Sequence, residues 1–405
     1  MSFQTGLSGL NASSRNLDVI GNNIANANTT GMKASRAEFA DVVASSLGAG
    51  SNGGAGIGVS VATVSQQFSQ GSINVTGNNL DVAINGGGFF QLEMPDGTSA
   101  YTRDGSFKLD KDGNIMTNSG AKVLGNQIDA LGNILVGNAP TPLSLPTSAP
   151  IPANATTAIA TEFNLDARAP IAASVTPPTP RTTYGTSLTA YDSQGVPLPV
   201  TLYFTKVTPA TAGTDEWAVY DSPAGATVGS LIFDATGKLT SSTVGSLTLT
   251  PVAPSIVPPF PVTTDFSKAT QYGTSFAVSN LTQDGYTSGE FVGMNIGENG
   301  IITARYSNGQ TQASGQIALA EFRNVQGLTP IGGNDWVSTF ASGAAVQGSP
   351  GQGKFGGLRS GALEESNVDL TGELVNMMVA QRAYQANAQT IKTQDQVLST
   401  LVNLR

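Results

Sequence analysis

The stretch LTGELVNMMVAQRAYQANAQTIKTQDQVLSTLVNLR (370–405) decides the fold, because an apolar residue recurs in it at every seventh position. The recurring residues are Leu370, Met377, Tyr384, Ile391 and Leu398. A weaker companion position follows four residues after each of them, at Leu374, Gln381, Ala388, Asp395 and Val402. Such a heptad pattern is typical of a helix that packs along a coiled-coil-like seam. Ser366 and Asp369 have the spacing of a capping box, so we expect the helix to begin there.

The opposite end of the chain carries a second apolar stripe. Its members are Phe3, Leu7, Leu10, Leu17, Ile20 and Ile24, separated by helical intervals. Two such helices at the ends of one chain most simply pair with each other. We therefore predict a helical axial core domain made of residues 1–32 and 366–405.

The polar faces of both helices are built from amides and hydroxyls rather than charges. Residues 1–31 contain only Arg15 and Asp18 as charged side chains, whereas a helix facing bulk water normally carries many more. The segment LDVIGNNIANANTTGMK (17–33) crowds asparagines into a helix end. Neutral amides tolerate burial against a like surface, where each can find a partner, so we expect Asn22, Asn23 and Asn26 to bond to neighbouring subunits. The predicted polymer and core interface comprises Phe3, Leu7, Leu10, Leu17, Ile20, Asn22, Asn23, Ile24, Asn26, Leu370, Leu374, Met377, Tyr384, Ile391 and Leu398.

The middle of the chain has the pattern of β structure. Nearly all of the 21 prolines fall between Pro140 and Pro261, which favours strands and extended loops there. Alternating apolar residues and Asp-Gly pairs predict a β meander with type I′ turns after residue 77. The fold class is α+β and multidomain, with nested antiparallel β domains outside the paired helices. We predict a discontinuous β domain (72–147 and 285–345) and an inserted outer β domain (148–284).

A connector of residues 33–71 and 346–365 is expected between the helices and the β domains. It contains LGAGSNGGAGIGVS (47–60), which has little capacity for fixed structure. The candidate hinge residues are Gly48, Gly50, Gly53, Gly54, Gly56 and Gly58. Further hinges are predicted near residues 147 and 284.

Composition excludes several classes of function. Without cysteine or histidine the chain cannot build disulfides, Ser-His-Asp sites or zinc sites based on imidazole or thiolate. Its net charge of -9 argues against nucleic acid as a partner. No apolar run approaches the length of a membrane span, and the first residues do not have the pattern of a cleavable secretory signal. We expect no cofactor and no enzymatic activity.

Three short motifs could suggest chemistry, and each has a simpler explanation. DKDGN (110–114) resembles the start of a calcium loop but lacks the later glycine and glutamate ligand, so a hairpin turn is favoured. NGGGFF (85–90) precedes no helix that could bind phosphate and is predicted to be a turn between strands. Glu364 and Glu365 are expected to complement the positive end of the following helix.

Three segments resemble the bacterial flagellar rod and hook axial proteins. They are SGLNASSRNLDVIGNNIANANTTGMKASRAEF near the start, TGNNLDVAINGGGFFQL with YTRDGSFKLDKDGNI in the β region, and GALEESNVDLTGELVNMMVAQRAYQANAQTIKTQDQVLSTLVNLR at the end. The length of the chain and its single β insert resemble the hook member of this family more than the shorter rod member. The glycine-rich connector looks longer than is typical of the family.

The resemblance implies a structural subunit of the flagellar hook, a curved helical homopolymer that acts as a universal joint and transmits torque from rod to filament. It also implies contacts with rod, hook cap and hook–filament junction proteins, and export through the flagellar type III apparatus without a cleaved signal. A rod subunit remains the alternative within the family. An extracellular β-rich adhesin with a ligand cleft in residues 148–284 is the alternative of a different class.

Overall fold

A computed structural model describes residues 2–43, 56–129, 133–135, 137, 139–147, 149–251 and 255–403. Its helices are α1 (Ser2–Ala25) and α2 (Leu370–Asn403), one at each end of the described chain. Short 3-10 helices cover Ala172–Ser174, Arg181–Thr183 and Val325–Gly327. The remaining regular structure consists of strands, so the chain is β-rich with two terminal helices and several sheets.

The strands fall into three runs along the chain. The first run is β1 (Ser35–Val43), β2 (Gly56–Gln66), β3 (Ile73–Val75), β4 (Val82–Asn85), β5 (Phe89–Glu93), β6 (Ser99–Thr102), β7 (Lys108–Leu109), β8 (Ile115–Met116), β9 (Lys122–Asn126) and β10 (Thr141–Pro142). The second run is β11 (Ala158–Asp166), β12 (Gly185–Tyr191), β13 (Pro197–Val207), β14 (Asp215–Tyr220), β15 (Thr227–Phe233), β16 (Leu239–Ser242), β17 (Ser246–Leu249), β18 (Phe260–Asp265), β19 (Thr270–Tyr272) and β20 (Ala277–Gln283). The third run is β21 (Phe291–Ile296), β22 (Ile301–Tyr306), β23 (Thr311–Ile317), β24 (Leu319–Glu321), β25 (Thr329–Gly332), β26 (Asp335–Val337), β27 (Val346–Gly348), β28 (Gly357–Ser360) and β29 (Ala362–Glu364).

The chain divides into two compact units. Unit 1 comprises Met1–Ser148, Gly293–Arg305 and Thr311–Arg405, and unit 2 comprises Ala149–Val292 and Tyr306–Gln310. Unit 2 therefore extends past residue 284, where the sequence predicted that the insert ends. Bridges from Ile151 to Gly289 and from Asn154 to Tyr286 hold this extra segment beside the start of unit 2.

Unit 1 is built from strands that lie far apart in the sequence. Strand β23 pairs with β9, β24 with β5, and β26 with β6, all antiparallel. Strands β28 and β29 likewise pair with β4 and β3. An aromatic cluster of Phe89, Tyr101, Phe322 and Trp336 lies beside these strands, with its rings in edge-to-face contacts. Both sequence halves are therefore needed to complete this core.

The Asp-Gly turns are hairpin turns, but the type I′ prediction is wrong. In the turns Asp96-Gly97 and Asp112-Gly113, the glycine has a positive φ and the aspartate does not. A type I′ turn requires a positive φ at both central residues. The Asp110 carboxylate accepts hydrogen bonds from the backbone N–H groups of Asp112 and Asn114. These bonds stabilise a turn in which Asp112 has a negative φ. The Asp104-Gly105 pair is not a turn of this kind, since Gly105 does not have a positive φ; its backbone instead lies close to the Val82 carbonyl.

The glycine-rich segment is partly regular. Gly56 and Gly58, predicted as hinge residues in a segment without fixed structure, lie in β2 and pair with Val43 and Val42 of β1. Pairing with β1 satisfies backbone groups that an unstructured connector would leave to water. Gly48, Gly50, Gly53 and Gly54 lie outside the described residues, and their role as hinges stays a prediction.

Unit 2 is a sandwich of two sheets. One sheet has the order β12-β13-β14-β15-β16 with antiparallel pairs. The other has the order β17-β18-β11-β19, and β20 also pairs with β11. Strand β11 is parallel to β18 and β19, so the prediction of purely antiparallel β domains is wrong for this sheet. The predicted strands TLYFTKV and EWAVY are confirmed as parts of β13 and β14. Both sheets contribute to one core that contains Phe163, Phe204, Trp217, Phe233 and Phe266.

Candidate assembly surface

The two terminal helices contact each other through small and polar residues. Gly6 of α1 lies against Ile391 of α2, where an added Cβ would be 3.1 Å from the isoleucine Cγ1. Further along, the Asn387 amide donates to Ser13 Oγ at 3.4 Å, and Asn23 reaches Glu373. As α1 advances, its partners in α2 move towards the start of that helix, so the helices run antiparallel.

The contact face of α2 includes Ile391 of the predicted seam, but it also includes residues outside that seam. Ala380 and Asn387, which face α1, follow the heptad positions Met377 and Tyr384 by three residues rather than four. The predicted companion Leu374 is 51% exposed. Small residues of α1 at the contact, such as Gly6 and Gly9, allow the two helix axes to approach closely.

Half of the predicted apolar stripe, six of its twelve apolar members, is solvent-exposed in the single chain. The exposed members are Phe3, Leu7, Leu370, Leu374, Tyr384 and Leu398. Partly buried members are Leu10, Leu17, Ile24, Met377 and Ile391, whereas Ile20 is buried. Further exposed apolar residues on α2, which the heptad pattern did not include, are Val375, Met378, Val379 and Val397. So many exposed apolar residues on one pair of helices mark an interaction site.

The asparagines have different surroundings. Asn23 is buried, donates to the Ser35 carbonyl at 2.8 Å and accepts from the Ser35 N–H at 2.9 Å. Its amide thus has partners within the chain, and a bond from Asn23 to a neighbouring subunit stays a prediction. Asn22 is exposed, and the Asn26 amide donates to its carbonyl. Their contacts with other subunits stay a prediction.

Helix α2 begins later than the capping-box spacing predicts. Asp369 is the N-terminal cap, because its carboxylate accepts from the Thr371 N–H and its carbonyl accepts from the Glu373 N–H. Ser366 instead accepts from the Val368 N–H before the helix. Glu364 lies in strand β29 and does not complement the helix end as predicted.

A buried charge cluster holds the segments beside the helices together. Lys33 donates to Glu364 Oε1 at 2.5 Å, and Arg103 donates to Glu364 Oε2 at 3.0 Å. Lys33 also donates to the Ser69 carbonyl, and the Gly71 N–H donates to Glu364. The cluster therefore joins the chain after α1, the chain before α2 and the β core.

Burial dominates the electrostatics of this cluster. It lowers the pKa of Lys33, although the Glu364 carboxylate acts in the opposite direction. Burial likewise lowers the pKa of Arg103. Removing one partner of such a buried pair leaves an uncompensated charge, which is strongly destabilising. The sequence did not single out Lys33 and Arg103, because no local pattern links residues so far apart.

The candidate chemical motifs form turns. Asp110–Asn114 is a hairpin turn between β7 and β8, as predicted, and residues 86–88 connect β4 to β5. Within the described ranges, no group of three or more acidic, histidine or cysteine side chains is arranged to hold a metal ion. Neither helix in the described part of the chain is long and apolar enough to cross a membrane.

Four family models match successive segments. They are described as the flagella basal body rod protein (3–33), the flagellar hook protein FlgE/F/G D1 domain (83–162), the flagellar basal body protein FlaE D2 domain (164–286) and the flagellar basal body rod FlgEFG protein C-terminal (359–404). The first and last models match the two terminal helices, and the second and third match strands of units 1 and 2.

Relatives match the chain over its full length. The chain is 41% identical to the flagellar hook protein FlgE of Escherichia coli (strain K12), with 100% of each chain covered. It is 36% identical to that of Rhizobium meliloti (strain 1021), with 100% of this chain and 98% of the relative covered. A solved structure of the Helicobacter pylori flagellar hook protein FlgE2 has the same fold, with a TM-score of 0.55 and 17% identity over 72% of this chain and 100% of that one. With its helical ends and nested β segments matched over the full length, the chain belongs to the flagellar hook protein FlgE family.

Proposed function

We propose that the chain is the structural subunit of a flagellar hook and assembles with copies of itself into a curved helical tube. The tube would work as a universal joint that transmits torque from the rod to the filament. The observation that carries this proposal is the exposed apolar stripe on α1 and α2. Full-length identity to hook proteins supports the same conclusion.

The stripe gives a physical reason for assembly. Residues such as Leu7 and Leu374 gain nothing in the single chain because they stay in contact with water. Burying one such side chain against another subunit contributes about 1.5–3 kcal/mol. In this proposal, residues 1–32 and 366–405 form the axial core, and helices from neighbouring copies pack on one another in a coiled-coil-like manner.

In this proposal the tube bends because each subunit consists of separate β domains joined by hinges. The proposed β domains correspond to the strands of unit 1 outside the axial core and to unit 2, which includes residues 285–292 as well as the predicted insert 148–284. The sheets of unit 2 share a core of their own, which supports treating this unit as a separate part of the subunit. The hinges predicted at 47–60 and near 147 and 284 would let each subunit lengthen and shorten during rotation.

The proposed function also implies which other proteins the subunit would contact. Rod, hook cap and hook–filament junction proteins would contact the ends of the tube. The subunit would pass through the flagellar type III export apparatus without a cleaved signal and act outside the cell. No catalytic role is proposed.

The test is electron microscopy of the purified chain after polymerisation, compared with Leu374→Ser. We expect curved tubes from the unaltered chain and at least a tenfold higher critical concentration for the variant, because about 1.5–3 kcal/mol per subunit is lost. Val196→Ser is the matched control, since Val196 is also exposed but lies in unit 2.

Other outcomes would contradict the proposal in distinct ways. Straight, rigid tubes would favour a rod subunit, the alternative within the family. A monomer that persists under salting-out conditions would contradict assembly altogether. Equal effects of Leu374→Ser and Val196→Ser would remove the stripe from the explanation.

A further inference from the structure

Phe340 is fully exposed and has the largest exposed fraction of any large apolar side chain in the described ranges. It lies in the turn between β26 and β27 of unit 1. Isolated exposed apolar residues are common, but complete exposure of a phenylalanine leaves its whole aromatic surface in water. Such a residue contributes nothing to the core of its own chain.

Hydrogen bonds fix the turn that carries this ring. Thr339 Oγ1 donates to the Gly327 carbonyl at 2.6 Å, and the Thr339 N–H donates to Ser342 Oγ at 2.9 Å. On the other side of the ring, the Asn324 amide donates to the Ala341 carbonyl at 3.1 Å. The residues on both sides of Phe340 are thus anchored. A partner would therefore meet a preorganised turn, so the entropy lost on binding would come mainly from ordering the ring.

The same chain carries an apolar groove of matching chemistry. The groove, of about 500 Å³, lies between α1 and β2, and Val19, Val61 and Val64 line it. Val64 is 49% exposed, so the groove wall is open to solvent. Arg15 and Asp18 also line it. A guanidinium beside an aromatic face adds a cation–π attraction.

We propose that Phe340 of one copy inserts into the α1–β2 groove of the next copy. This inference rests on the proposed function, because it takes a second copy of the chain as the partner. A knob and a groove on different surfaces form a heterologous contact, which generates a helical assembly when the rotation between copies does not close a ring. Residues 336–353 around the knob carry no charge, so nothing in that segment repels Arg15 or Asp18.

The decisive experiment places a disulfide across the proposed contact. The chain has no cysteine, so Phe340→Cys and Val64→Cys introduce the only thiols. When assembled tubes of the double variant are oxidised, we expect a ladder of covalent oligomers on a non-reducing gel. A mixture of the two single variants should give dimers and no ladder, because each chain then has half of the contact. The double variant Ile256→Cys with Val64→Cys is the matched control, since Ile256 is also highly exposed but lies in unit 2.

A second measurement does not depend on the disulfide. Phe340→Ala should raise the critical concentration for polymerisation about tenfold or more, as expected for an aromatic anchor, while Ile256→Ala leaves it unchanged. Tubes that form normally without Phe340, together with no ladder from the double-cysteine variant, would overturn the contact. A bond formed within one chain would overturn it too. Failure of the unaltered chain to form any tube would instead contradict the proposed function.

Discussion

Unit 2 buries large apolar residues in its core, whereas the terminal helices leave many of theirs exposed to solvent. In unit 2, Phe204, Trp217 and Phe233 are fully buried between two sheets. In the helices, Leu374 and Leu398 are about half exposed, and the contact between α1 and α2 uses small residues such as Ala380. Unit 2 covers these aromatic residues within its own core, whereas the helix pair leaves an apolar surface that only another molecule can cover. Stability of the single chain and assembly should therefore depend on different residues.

The largest expected effect is in the core of unit 2. Phe204→Ala should lower the free energy of unfolding of this unit by about 3–5 kcal/mol, because it removes a buried ring and leaves a cavity. Leu398→Ala should change the unfolding free energy by less than about 0.5 kcal/mol, as at other exposed positions. Urea denaturation followed by circular dichroism measures both. Similar losses of unfolding free energy in the two variants would contradict the difference between the buried core of unit 2 and the exposed helix residues.

The next effect concerns the buried cluster that holds the segments beside the helices. Glu364→Gln should destabilise unit 1 by about 3–5 kcal/mol, because Lys33 and Arg103 then remain buried without a counter-charge. The adjacent Glu365 is exposed, so Glu365→Gln is a control expected to be nearly neutral. Thermal unfolding of the two variants, side by side, separates the buried carboxylate from the exposed one. A neutral result for Glu364→Gln would remove the cluster from the account of unit 1 stability.

A pH-dependent effect comes from a second buried carboxyl group of unit 1. Burial raises the pKa of Asp335 from 3.8 to about 6, against a hydrogen bond with Thr102 and with a further increase from nearby Asp104. A raised pKa means that the folded state holds the proton more tightly. The stabilisation is therefore complete below pH 3.8 and is lost as the pH rises through about 6.

Asp335→Asn removes this dependence. The variant should match the unaltered chain near pH 4 and exceed its unfolding free energy by about 3 kcal/mol at pH 7, at 1.36 kcal/mol per pKa unit. The fluorescence of the neighbouring Trp336, followed during denaturation at each pH, gives the two curves. Parallel curves across this range would contradict the role of Asp335.

The smallest effect distinguishes two glycines of α1. An added Cβ at Gly21 meets no atom within 4 Å, whereas at Gly9 it lies 2.9 Å from the Asn387 amide. Gly21→Ala should stabilise the helix by about 0.5–1 kcal/mol through propensity alone. Gly9→Ala should lose most of that gain, because Asn387 must shift away from Ser13. Hydrogen exchange of α1 amides measures the difference, and an equal gain at both positions would contradict close packing at Gly9.

Local patterns predicted the elements well and their contacts less well. The heptad repeat identified α2 as a helix, and alternation identified strands such as β13, because each pattern reports which face is apolar. The repeat did not reveal that Ala380 and Asn387, rather than Leu374, face α1. Periodicity marks an apolar surface without saying whether the same chain or another molecule covers it.

The charge cluster shows a second limit. Lys33 and Glu364 lie at opposite ends of the sequence, and only the pairing of distant strands brings them together. Glu364 was instead assigned to the helix end on the basis of its sequence neighbours. The function was predicted from the family resemblance. The residues of the apolar stripe could not indicate it, because no single side chain among them has a distinctive chemistry.

The pairing of distant strands also sets an order of folding. Among the described strands, β3 pairs with β29 and β4 with β28, each in a two-stranded sheet. A chain that emerges from its N-terminal end therefore holds β3 and β4 without these partners until almost its whole length is free. Unit 2 comes mainly from one continuous stretch, Ala149–Val292, and can form its core much earlier. Contacts across such long separations slow folding because a large loop must close first. The subunit thus stays incomplete at both ends until its last strands arrive, which delays the stage at which the terminal helices can pack against each other.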